Sequence, residues 1–138
     1  MPKHLMGRTA VGFDYNRVTM LLAILERRLG MDFGAYDAYV NVVGGMRVTE
    51  PAADLAVAAA LVSSYRNRPI PHGVLVMGEV GLTGEVRRIA SPERRIKDAM
   101  NLGFKRFVLP MGKLSLDEPC NGIVQVKTLE EALDKVFA

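Results

Sequence analysis

The sequence has 138 residues, 49% hydrophobic and 24% charged, with 18 Lys+Arg against 15 Asp+Glu, one Cys and no Trp. That length and balance exclude a disordered chain and suit one folded domain with a real core. No uncharged stretch approaches the ~20 residues of a membrane helix, and the single Cys120 excludes an internal disulfide and a multi-Cys zinc site.

Residues 1–8 carry no pattern and read as a linker or cloning scar, with one domain expected over 9–138. No basic-apolar-small leader opens the sequence, so the expected compartment is cytoplasmic, with no membrane partner. Thr9 to Phe13 reads as a strand. Asp14 can cap a helix from Tyr15 to Leu29, in which Val18, Leu21, Leu22, Leu25 and Leu29 recur at the spacing of one buried face, and Gly30 stands where a helix stop is expected. Tyr36 to Val43 is a β-type run ended by Gly44-Gly45, and Met46 to Val48 suits a returning strand.

Pro51 fits a first helical position, where its missing N–H is no loss, and an alanine-rich helix is expected from there to Arg66. Val74 to Val80 reads as one strand, and Glu85 to Ile89 returns from the Gly81-Leu82-Thr83-Gly84 turn as the second arm of a hairpin. Ser91-Pro92-Glu93 predicts a helix with Ser91 as its cap, burying Ile96, Ala99 and Met100 and stopping at Gly103. Strands follow at 106–109 and 124–126. Thr128-Leu129-Glu130-Glu131 is a capping box that opens a last helix. The fold class is α/β or α+β in a single domain, without repeats.

The net charge of +3 is unevenly spread. Arg87, Arg88, Arg94, Arg95, Lys97, Lys105 and Arg106 face only Glu85, Glu93 and Asp98 within residues 85–106, leaving the rest of the chain at −1. Such a cluster is either an electrostatic footprint for nucleic-acid phosphates or a solvated, internally paired helix face. Phe104 and Phe107, the aromatics among these cations, read as core, so base stacking has little support.

No Gly-x-x-x-x-Gly-Lys-[Ser/Thr] occurs, and Gly78, Gly81 and Gly84 do not match a dinucleotide fingerprint. His4 and His72 have no ligand partners at metal spacing, so no metal site is expected. Cys120 lies in a loop with no base to activate it.

Two segments carry a resemblance: Thr49-Glu50-Pro51-Ala52-Ala53-Asp54 with its alanine-rich helix, and Met77-Gly78-Glu79-Val80-Gly81-Leu82-Thr83-Gly84-Glu85-Val86 followed by Gly103-Phe104-Lys105-Arg106-Phe107-Val108-Leu109-Pro110. They resemble the proteolytic domain of the Lon family. Thr9-Ala10-Val11-Gly12, Asn16-Arg17, Val40-Asn41-Val42-Val43-Gly44-Gly45 and Ala53-Asp54-Leu55-Ala56 extend the likeness to the Lon-protease-like C-terminal domain of the RadA (Sms) family of bacterial DNA-repair ATPases. The resemblance implies a Lon-like sandwich with a left-handed β–α–β crossover, a hexameric ring in the parent protein, and DNA as a partner of that parent. It implies no cofactor for this chain, since ATP, Mg and Zn would belong to the RecA-like ATPase core and zinc finger, which this sequence does not contain.

Lon chemistry needs a Ser hydroxyl as nucleophile and a Lys amine as its base. Matched on the family's Pro-Ser-Ala-Gly, Ala52 falls at the Ser position, and Glu93 falls at the Lys position. Ser63 and Ser64 lie about 16 Å further along the helix, too far to substitute. The resemblance therefore implies a degenerate protease site with no catalytic residue, in a domain that assembles the ring and contacts DNA through the basic cluster. The alternatives are a Ser–Lys peptidase with a displaced dyad, or an oligomerisation module without DNA contact.

Overall fold

The computed structural model describes residues 8–34, 36–41 and 49–138. They divide between two compact units, residues 1–50 and 51–138. The expected strand residues Val42 and Val43, the Gly44-Gly45 bend and the return at 46–48 lie outside the described residues.

The first unit is a β–α–β arrangement. Strand β1 (Arg8–Val11) pairs in parallel with β2 (Ala38–Asn41), with Thr9 opposite Tyr39. Helix α1 (Tyr15–Leu29) connects them. Its start is fixed by Asp14, whose carboxylate accepts the Asn16 N–H at 3.0 Å. Its end is fixed by Gly30, which takes the left-handed conformation and donates its N–H to Glu26 O. Val18, Leu21, Leu22, Ile24 and Leu25 are buried, and Leu29 is half-buried.

The second unit is built on a parallel sheet ordered β3 (Val74–Val76), β6 (Arg106–Pro110), β7 (Ile123–Val126). A short antiparallel ladder, β4 (Glu79–Val80) with β5 (Val86–Arg87), forms the hairpin. The helices are α2 (Asp54–Arg66), entered through a 3-10 turn at Pro51–Ala53, then α3 (Pro92–Asn101) and α4 (Leu129–Val136). Met77, Ile96, Ala99, Phe107 and Leu109 form a buried cluster, with Phe104, Leu114 and the free Cys120 packed on it. Phe107 is thus a core residue and Phe104, half-buried, packs against that core. Leu55, Ala58, Ala59 and Val62 of α2 and Leu129, Ala132, Leu133 and Val136 of α4 are buried too. The α/β class expected from the sequence is the class found.

Two sequence readings need correction. Residues 74–80 are not one strand, because the ladder breaks at Met77-Gly78. There the Gly78 N–H donates to Ala52 O at 2.9 Å, and Gly78 O accepts the Leu55 N–H at 3.0 Å. The chain leaves the sheet to bond the start of α2 instead. Only glycine permits that approach, since a Cβ at 78 would stand 2.8 Å from Val86 Cγ1 and 3.3 Å from Leu55 Cδ2. Ser91 does precede α3 but does not cap it. It sits in the left-handed region (φ 54°, ψ 52°), and its side chain makes no cap bond. Thr128 does cap α4: its hydroxyl accepts the Glu131 N–H at 3.1 Å, while the Glu131 carboxylate reaches back to the Lys127 N–H at 2.9 Å.

Candidate functional site

Ala52 sits in the 3-10 turn ahead of α2, 7% exposed. Its carbonyl is used by Gly78, and its side chain is a methyl, which has no lone pair to offer a carbonyl carbon. Two residues on, Asp54 is fully buried and accepts the Val80 N–H at 3.1 Å through Oδ2. Asp54 thereby ties the hairpin to the start of α2, where the helix dipole favours a negative charge. Sequence reasoning assigns this carboxylate no role, although an acid directly after Pro51-Ala52-Ala53, at a helix start, is a signal for one.

Ser63, Thr83 and Glu93 have defined partners. The Ser63 hydroxyl donates to Arg68 O at 2.6 Å, and the Thr83 hydroxyl donates to the Glu85 carboxylate. Glu93, in the first turn of α3, accepts the Ser115 N–H at 3.1 Å. Its own backbone N–H and that of Ser115 hold its carboxyl below the usual range, so it stays ionised. This carboxylate is a strut that ties Ser115, in the loop after β6, to the start of α3.

The seven cations predicted from the sequence differ in their partners. Arg87 is tied to Glu85 at 2.8 Å and lies 4.0 Å from Glu79. Glu85 is held down to about 2 by the Thr83 hydroxyl first, then by backbone N–H and Arg87. Arg95 is half-buried, with Nε on Ala90 O at 2.8 Å. Arg94 lies 4.0 Å from Asp98, a loose exposed pair of little energetic weight. Among the described residues, Arg88, Lys97, Lys105 and Arg106 form no ion pair with a carboxylate.

Three of these cations line two clefts. A groove of about 410 Å³ places Arg94 and Lys97 beside Glu93, Asp98, Asp117 and Glu118, so acids outnumber bases there. A cleft of about 220 Å³ brings Arg88 together with Lys113, and Glu93 is its only acid. Lys113 and Gln125 also line this second cleft. Sequence reasoning missed both, because the loop after β6 brings Lys113 and strand β7 brings Gln125 to the cleft, and no local motif records that. Among the described residues, no cluster of three or more His, Cys, Asp or Glu is placed to hold a metal, and no helix is long and apolar enough to cross a membrane.

Comparison with known proteins adds an independent line. Residues 4–113 match the family described as subunit ChlI of Mg-chelatase. The chain is 48% identical over 131 residues to a DNA repair protein RadA of Pseudomonas aeruginosa, covering 94% of this chain and 29% of that protein. It is 45% identical over 131 residues to the RadA of Halalkalibacterium halodurans, covering 92% of this chain and 28% of that one. The RadA of Escherichia coli is 46% identical over 127 residues, with 91% and 28% covered. The chain thus spans under a third of the length of the curated relatives it matches.

Proposed function

The chain belongs to the family of the Lon-protease-like domain of RadA, matching the ChlI family model over most of its length, and from that membership we propose that it is a non-cleaving domain of a DNA repair protein. In this reading the longer protein is an ATP-driven machine that promotes branch migration of recombination intermediates. This domain helps assemble its ring and offers cations to DNA. The observation that carries the reading is the methyl of Ala52, buried at the start of α2, where the Lon resemblance implies a Ser hydroxyl in a cleaving domain. With Glu93 committed to Ser115 rather than serving as an amine base, neither half of a Ser–Lys dyad stands at its matched position.

DNA contact rests on the cations that no carboxylate holds. Arg88, Lys97 and Lys105 are exposed, and each can neutralise a phosphate without reading a base. Arg87 and Arg95 are poor test positions, because removing either breaks a bond that shapes the fold. Assembly of the ring rests on the family resemblance.

The test is a DNA titration of the chain at several salt concentrations, with Arg88→Ala, Lys97→Ala and Lys105→Ala combined. If each cation meets a phosphate, the log–log salt slope flattens by about 2–3, at roughly 0.9 per contact. Lys135→Ala on α4 is the control and leaves the slope as it was. An unchanged affinity and slope in the triple variant would remove DNA from the reading and leave an assembly module.

A further inference from the structure

Asn121-Gly122 is the only Asn-Gly step in the sequence, and the fold requires its glycine. The step is a turn into β7, and the Gly122 carbonyl accepts the Phe107 N–H at 2.8 Å, which opens the β6–β7 ladder. A Cβ at 122 would collide with Lys105 O and stand 2.8 Å from Lys105 C and 3.1 Å from Arg106 Cα, all main-chain atoms. Close packing, and not an unusual φ, therefore fixes glycine at this position. Asn121 is exposed. Among the described residues its carboxamide has no hydrogen-bond partner, and neither has the Gly122 N–H. The other asparagines differ. Asn16, Asn67 and Asn101 are followed by residues whose N–H groups are occupied: Arg17 donates to Asp14 O at 3.1 Å, Arg68 to Ser63 O at 2.9 Å and Leu102 to Ala99 O at 3.0 Å. Asn41 is followed by the β-branched Val42.

We propose that Asn121 is a self-modification site, at which the Gly122 nitrogen closes a succinimide on the Asn121 carboxamide and water opens it to a carboxylate. Nucleophile and target are neighbours in the chain, so the step is intramolecular and needs no enzyme. The Gly122 nitrogen gives up its proton and bonds to Asn121 Cγ. The Cγ–Nδ2 bond breaks, and ammonia leaves with that proton. Water then adds to one of the two ring carbonyls. Addition at Cγ breaks its bond to nitrogen and leaves an aspartyl residue. Addition at the main-chain carbonyl carbon leaves an isoaspartyl residue, with one more carbon in the main chain. No oxidant or reductant takes part. The attack need not first break a hydrogen bond, and no side chain at 122 screens the nitrogen. Either product replaces a neutral amide by a carboxylate and lowers the net charge of +3 by one. Because Gly122 is clamped against Lys105, the extra carbon is taken up on the side of Asp117, Glu118 and Pro119, which are exposed.

The modification is independent of DNA contact and of ring assembly, and it is tested on the intact chain. The folded protein is held in mildly alkaline buffer, and timed samples are digested and mapped by mass spectrometry. A gain of one dalton appears at Asn121 before it appears at Asn16, Asn41, Asn67 or Asn101, at a rate on the order of that of the free peptide Glu-Pro-Cys-Asn-Gly-Ile-Val. The isoaspartyl product exceeds the aspartyl one, as read by a carboxyl methyltransferase that labels isoaspartate alone. Hydroxylamine added under the same native conditions traps the succinimide and cuts the chain once, between Asn121 and Gly122. Asn121→Ala, at an exposed position with no hydrogen bond to lose, keeps the circular dichroism of wild type and loses the methyl label and the cut. A folded chain whose Asn121 persists while the free peptide converts overturns the proposal. So does conversion to the aspartyl product alone, which would bypass the ring, or earlier conversion at another asparagine.

Discussion

Asp54 is the one buried charged side chain among the described residues, and replacing it by Ala isolates what it does. The Val80 N–H loses its acceptor at a position only 1% exposed, where water cannot replace it. An orphaned buried donor costs about 1–3 kcal/mol, and losing a carboxylate at the first turn of α2 costs up to ~1 kcal/mol more. Recovered desolvation of the carboxylate offsets part of this, so the net loss expected is roughly 1–3 kcal/mol. At roughly 3–4 °C per kcal/mol for a chain of this size, the midpoint of melting falls by about 3–12 °C. Asp54→Asn keeps an acceptor oxygen of nearly the same shape, so it falls by about a third to a half as much. The assay is thermal and urea unfolding followed by far-UV circular dichroism, which suits a protein without Trp. An Asp54→Ala protein within ~0.5 kcal/mol of wild type would refute the assignment of this carboxylate as the clasp between hairpin and helix.

Two further predictions concern caps and charge. Thr128→Ala loses a bond to the Glu131 N–H and costs about 1 kcal/mol, whereas Ser91→Ala loses none and stays within about 0.5 kcal/mol; equal losses in urea melts would contradict the cap geometry. Glu85 titrates near 2 rather than at its ordinary 4.5. Because its folded pKa is depressed, the stability it supplies is present above the unfolded value and drains away as pH falls from about 4.5 through about 2. A carboxyl NMR titration of Glu85 with its midpoint near 4.5 would show that the Thr83 and Arg87 bonds do not persist in solution.

Helix α1 was legible from end to end, because its boundaries are set by side chains next to it in sequence: Asp14 at one end, Gly30 at the other. The same locality made Thr128 readable as the cap of α4. The break at Gly78 was not legible, since the group that takes its N–H is Ala52, 26 positions earlier, and a strand-like run of apolar residues cannot signal such a contact. Ser91 shows the limit of a local motif: Ser-Pro-Glu is a good helix start, yet the chain enters α3 in a conformation that turns the hydroxyl away from a cap. At the candidate site, composition placed seven cations together along the chain, but folding sorts them by partner. Glu85 binds Arg87, Asp117 and Glu118 line the groove of Arg94 and Lys97, and Lys113 joins Arg88 from a loop outside the basic segment. Charge counted along a window does not include the acids that tertiary structure brings alongside.

The claim beneath the rest is that this domain acts by binding and not by cleaving. The direct test is turnover of casein and of a fluorogenic Lon-type peptide by the purified chain, run beside single alanine variants of its Ser and Thr residues. The account predicts no turnover above the buffer rate in any of them. Measurable cleavage that disappears on changing one hydroxyl would contradict it and would identify a nucleophile other than the residue at position 52.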